Sequence, residues 1–175
     1  MKSALKTDLP DGSFNPLDSF ERFLRAKKAR YTRAAPESLS MQLDDCQIDL
    51  FWHEDDEAVH LTCALPVQLP EDVRDLSAPV VMHINRRQWL GHFEIQDDGV
   101  PCYRYTTLFH SGGPLADSEV LEEVTDIALR SSQQYLPAFQ LMSQATNHAD
   151  FPRLFQEDGK CAPLGLALLD TGGQG

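Results

Sequence analysis

Between residues 39 and 65 apolar side chains recur at every second position: Leu39, Met41 and Leu43, then Cys46, Ile48, Leu50 and Trp52, then Val59, Leu61, Cys63 and Leu65. Alternation of this kind is the mark of strands with one buried face. The breaks, at Asp44 and Asp45 and over residues 53–57, are short enough to join only antiparallel neighbours. The pattern therefore predicts a three-stranded antiparallel meander. Upstream, Leu17, Phe20, Phe23, Leu24 and Tyr31 fall at spacings of three, four and seven, which predicts a helix over residues 16–31. Asn15 can cap it, and Pro16 suits its first turn, where the missing N–H would have no partner anyway.

Downstream, Pro66 and Pro70 end the third strand, and a second helical region is expected over residues 71–89. It is interrupted near Ser77, Ala78 and Pro79, where a serine cap and an early proline would start a fresh helix with Val80, Val81 and Ile84 as its stripe. Residues 90–95 and 100–109 then pair as a hairpin closed by Asp98 and Gly99. Along its longer strand Tyr103, Tyr105, Thr107 and Phe109 face one way, and Cys102, Arg104, Thr106 and Leu108 the other. Pro101 points to an edge or a bulge, since it cannot donate to a ladder. Asp117 or Ser118 can cap a third helix with Leu121, Val124, Ile127, Ala128 and Tyr135 inward, and Pro137 should kink or interrupt it, leaving residues 138–146 as a separate short turn.

This order defines an α+β class: helix, three-strand antiparallel meander, helix, β-hairpin, long helix, with a five-stranded sheet covered on one face. The domain is expected over residues 14–146, between a flexible segment 1–13 and a partly disordered extension 147–175. Within the extension Phe151, Leu154, Phe155 and the apolar run 164–169 could pack back on the domain.

Charge narrows the partners. With 15 basic against 27 acidic side chains the chain carries a net −12, which repels a phosphate backbone and argues against nucleic acid. No stretch approaches the roughly 20 apolar residues of a membrane span. The first eleven residues lack the apolar core of a signal peptide. Cys46, Cys63, Cys102 and Cys161 show no CxxC spacing and read as buried thiols of a cytoplasmic protein. Against the acidic background, Arg22, Arg25, Lys27, Lys28, Arg30 and Arg33 cluster around the first helix. They are either a solvated or internally paired face, or a site for an acidic partner.

Candidate chemistry is sparse. His53, His60, Cys63, His83, His92, Cys102 and His110 form no paired metal motif, and no metal or cofactor is expected. The carboxylates sit in turns, where water keeps them ordinary. Ser111, beside Gly112 and Gly113, is not in a nucleophile-elbow sequence, and those glycines lack the Lys-Ser/Thr of a phosphate loop. No catalytic residue is assigned. Arg86 and Arg87 could clamp an anion with their planar forks, or cap the helix end and pair with Glu94 and the acidic turn.

The ordered set from Asn85 to Gly91, Phe93 and Glu94, the acidic turn with Gly99, Tyr103-Arg104-Tyr105, Gly112-Gly113, and a last helix with Tyr135 and Pro137 resembles the YbjN family, labelled bacterial sensory transduction regulators. The similarity spans residues 16–144. It implies a fold like that of the small acidic chaperones of type III secretion, hence a dimeric domain without enzymatic activity that binds an unidentified protein client or signalling partner. The second helix, broken at Ser77 to Pro79, and the extension after Asn147 depart from the family pattern. The candidate interaction residues are Arg86, Arg87, Tyr103, Arg104, Tyr105 and Phe109; the alternative is a small-molecule or anion sensor at Arg86 and Arg87.

Overall fold

In the computed structural model, which describes residues 14–109 and 114–144, the Asn15 side chain accepts the Leu17 N–H at 2.9 Å and opens helix α1 (Pro16–Ala26). The helix ends short of Tyr31. Lys28 turns left-handed at φ 58°, and the Ala29 N–H closes on the Leu24 carbonyl at 2.9 Å while that of Lys28 meets Arg25 at 3.0 Å. This is a Schellman stop with lysine where glycine would have announced it. Tyr31 begins strand β1 (Tyr31–Ala35) instead.

The meander follows as expected in β2 (Ser38–Leu43), β3 (Cys46–His53) and β4 (Ala58–Ala64), with Met41 opposite Ile48 and Ile48 opposite Cys63. After α2 (Glu71–Asn85), β5 (His92–Ile95) and β6 (Pro101–Leu108) form the hairpin. The sheet has six strands rather than five, in the order β1-β2-β3-β4-β6-β5, all antiparallel. Because β6 lies between β4 and β5, Pro101 sits at neither an edge nor a bulge. It is the first residue of its strand, and its carbonyl receives the Leu65 N–H at 2.9 Å.

Two helical breaks expected from proline do not occur. Helix α2 runs unbroken through Pro79, and α3 (Pro114–Ser143) runs through Pro137 for 30 residues. In each case the residue four positions earlier, Asp75 or Gln133, is exposed, so the carbonyl whose bond the ring removes lies on the open side of the helix, where losing that bond costs least. Ser77 is buried, and its hydroxyl donates to the Arg74 carbonyl at 2.5 Å rather than capping a new helix. Asp117 lies in the first turn of α3, with Ser118 beyond it, so neither is the cap.

The helices cover one face of the sheet. Leu39, Ile48, Leu50 and Leu61 from the strands, Leu17 and Phe20 from α1, and Leu121 and Phe139 from α3 join in one fully buried core. Cys46, Cys63 and Cys102 are free and buried. Burial pushes the Cys63 thiol up to about 12 and that of Cys102 up to about 11, so both stay protonated and unreactive. Cys161, His110, Ser111, Gly112, Gly113 and the extension 147–175 lie outside the described residues.

Candidate protein-binding surface

The joint between α2 and the hairpin is fixed from three sides. At the helix end, the Asn85 carboxamide accepts the Phe93 N–H at 2.7 Å and donates to the Phe93 carbonyl at 2.9 Å. Ahead of β5, Gly91 takes φ +65° and lies so close to the Tyr103 ring and the Arg104 carbonyl that no side chain fits. The Tyr103 hydroxyl donates to the Leu90 carbonyl at 2.6 Å, and burial raises its pKa to about 12. From α3, the Ser131 hydroxyl reaches the Gln88 side-chain oxygen at 3.5 Å. Residues 86–91 are thus a short connection with both ends tied down.

That connection carries Trp89, which is 98% exposed, and Leu90, which is 44% exposed. One turn back along α2 is Met82 at 53%, with the Arg86 guanidinium 4.0 Å from its sulfur. Three large apolar side chains and an arginine therefore stand in water on a rigid support, an unusual condition for a tryptophan in a monomer. Periodicity had placed Trp89 at the end of a helix and could not show its exposure. Its position between Gln88 and Gly91, past the last inward residue Ile84, was the signal available.

The six sequence-derived candidates do not form one surface. Tyr103 and Phe109 are buried in the core, at 0% and 4% exposure, and Tyr105 packs partly buried against it. The strand face assigned to a partner is the face the helices cover. Phe93 fills its centre, with ring centroids 5.2 Å from Tyr103, 5.5 Å from Tyr135 and 5.5 Å from Phe139. Arg104 lies on the opposite face, paired to Glu94 at 2.7 Å. Arg86 and Arg87 are exposed, and the Arg87 guanidinium meets His83 rather than Glu94. The acidic turn is held by a different arginine: Arg74 donates to the Asp97 carbonyl and, at 2.9 Å, to that of Asp98.

Elsewhere the charges are largely used internally. Arg33 reaches Asp18 at 2.9 Å and Glu21 at 3.6 Å, Arg25 meets Glu21 at 2.6 Å, and Lys27 lies 3.8 Å from Glu122. The basic cluster is in good part an internally paired face. A groove of about 470 Å³ runs between α2 and β5, lined by Arg74, Ser77, Val81, Phe93 and Ile95 among others; Arg86 and Arg87 do not line it. Among the described residues no three histidines, cysteines or carboxylates come together as a metal site. No described helix is long and apolar enough to cross a membrane.

The sheet face away from the helices holds His60, whose Nδ1 lies 3.0 Å from the Thr106 hydroxyl. Burial lowers its pKa below the usual histidine value, and the nearby Arg104 guanidinium lowers it further. A depressed histidine favours the folded state while neutral. Its contribution is present above the unfolded value near 6.5 and is lost as pH falls through the folded value. His60→Gln should flatten the decline in urea stability between about pH 7 and pH 5; an unchanged slope would exclude His60 as its source.

A helix-covered antiparallel sheet with a long closing helix defines the class, an α+β domain. Within that class the chain belongs to the YbjN family, described as "Putative bacterial sensory transduction regulator", whose model matches residues 16–141. Two solved structures share the fold. One, from the crystal structure of the ExsC–ExsE complex, is 16% identical with a TM-score of 0.54, covering 74% of this chain and 94% of that one. The other, YbjN from E. coli, is 12% identical with a TM-score of 0.52, covering 71% and 93%. No curated protein gives a significant match.

Proposed function

We propose that this domain is a non-enzymatic regulator or chaperone-like adaptor of the bacterial cytoplasm, a homodimer that binds a protein client through Met82, Arg86, Trp89 and Leu90. The observation that carries the reading is Trp89, 98% exposed on a connection pinned at both ends. Tryptophan and arginine are the residues on which binding energy concentrates. Because the backbone that presents them is already ordered, little conformational entropy remains to be lost on binding. The membership in a family of regulators supports the role, and so does a shared fold with a protein solved in complex with another.

Affinity capture from the native cell, comparing the wild-type chain with Trp89→Ala, tests the surface. Since Trp89 packs against almost nothing, the substitution should leave stability within about 0.5 kcal/mol. Client affinity should fall more than about tenfold, as for a central anchor. Equal capture by both proteins would exclude this surface. Light scattering tests the dimer separately, with a mass about twice 19.6 kDa expected and a strict monomer in dilute solution counting against it.

A further inference from the structure

The client surface continues along α2 and into the groove beside it. Asp75, Met82 and Arg86 are exposed and fall at spacings of seven and four, which sets them in one line on the outer side of the helix. Val81, next to Met82, lines the groove of about 470 Å³ together with Phe93 and Ile95 from β5. Phe93 stands two residues past Gly91, where the connection bearing Trp89 and Leu90 ends. Helix line, groove and connection therefore adjoin.

The two ends of this surface differ in charge. At the far end Asp75 and Asp97 line the groove and are exposed. Arg74 lines it too, but its guanidinium is turned onto the carbonyls of Asp97 and Asp98, and Glu94 is paired with Arg104. At the near end is Arg86, the C-cap of α2. The helix dipole accounts for an arginine there, but its hold on acids fades within the first turn. Asp75 lies past that turn, and Asp97 is on another element.

Size decides which form of partner fits. Asp75 and Arg86 are eleven residues apart on an unbroken helix, a distance of about 16 Å. A helical segment of that length and about 10 Å across fills roughly 1,300 Å³, far more than the groove holds. An extended segment covers the same distance in about five residues and lowers every second side chain into the groove. Asn85 already holds the Phe93 N–H and carbonyl, so side chains rather than strand pairing make the contact.

We infer that the client presents to this surface an extended segment in which a basic and an acidic residue stand about five positions apart, with apolar residues between them. The lysine or arginine meets Asp75 and Asp97, the apolar side chains meet Met82 and the floor of the groove, and the carboxylate meets Arg86. This rests on the preceding assignment of client binding to Met82, Arg86, Trp89 and Leu90, and adds to it the chemistry of the client.

Selection of a displayed library of random peptides on the full-length chain tests it. Recovered peptides should share that spacing, and added salt should weaken their binding. On Asp75→Lys with Asp97→Lys their affinity should fall about tenfold or more, and a fresh selection on that variant should return peptides acidic at both ends. Both residues are exposed, and an unchanged urea midpoint checks that the fold is kept. Asp75→Asn with Asp97→Asn, which removes the charges and keeps the shape, should give a smaller loss in the same direction. Peptides without the paired charges, no enriched peptide at all, or equal affinity for the wild type and both variants would overturn the inference. So would light scattering in which the wild type is a dimer and the Asp75→Lys, Asp97→Lys protein a monomer, since that assigns the helix line to a second copy. None of these results bears on whether Trp89→Ala loses the client, so the two readings fail separately.

Discussion

Phe93→Ala should lower the stability of this domain by about 3–5 kcal/mol, the cost of removing a fully buried phenyl ring and leaving a cavity that the surroundings only partly fill. Phe93 is 1% exposed and is where sheet and helix meet: Tyr103 comes from β6, Tyr135 and Phe139 from α3. The edge-to-face contacts with Tyr103 and Tyr135 are each worth about 0.5–1.5 kcal/mol beyond the buried area. Against a total of roughly 5–15 kcal/mol for a domain of this size, the loss is a large fraction. The urea midpoint should fall with little change in slope, and Phe93→Leu should recover more than half. A loss under about 1 kcal/mol would mean that Phe93 does not hold α3 to the sheet.

Gly91→Ala should be nearly as damaging for a different reason. Its φ of +65° strains any L side chain, and a Cβ there would lie 2.4 Å from the Tyr103 hydroxyl oxygen and 2.5 Å from the Arg104 carbonyl oxygen. The left-handed conformation alone costs about 1–2 kcal/mol. The carbonyl belongs to an interior strand and cannot give way, so the total should exceed about 3 kcal/mol. Melting temperature should drop by on the order of 10 °C. Because Tyr103 must move, its bond to Leu90 should break, and the connection bearing Trp89 should loosen. If Trp89 anchors a client as proposed, capture by the Gly91→Ala protein should weaken although Trp89 itself is unchanged. A Gly91→Ala protein melting within about 2 °C of wild type would show that the contact relaxes freely.

How much of this could be read beforehand depended on whether the cause was local. The alternation from Leu39 to Leu65 fixed the meander because a half-buried strand writes its face into every second residue. Asp98 and Gly99 marked the hairpin turn because a tight turn needs a residue at positive φ, and Gly99 takes φ 87°. Strand β1 escaped notice because Arg33 occupies an inward position, and its burial depends on Asp18 and Glu21 from a helix that sequence spacing does not place beside it. Pro79 and Pro137 were read as breaks because nothing local says that the carbonyls they orphan would face water.

The candidate surface was legible only in part. Alternation correctly put Tyr103, Tyr105 and Phe109 on one face, but which face the helices cover is a tertiary outcome, and they cover that one. Arg86 stands out in the sequence as an arginine near a helix end; Trp89 does not, because periodicity only carries the helical region up to residue 89 and does not say which way its last side chain points.

The Asn85 carboxamide has a consequence beyond fixing the joint. It supplies the Phe93 N–H and carbonyl with the two bonds that a neighbouring strand would otherwise make. At the opposite end of the sheet, the pairing of β1 shifts register between Thr32 and Ala35, with Arg33 between them. Both borders are thereby blunted as templates for strand addition. A domain with both sheet borders closed in this way can be concentrated without its sheets zipping into one another, and the surface it offers a neighbour is one of side chains rather than of free backbone.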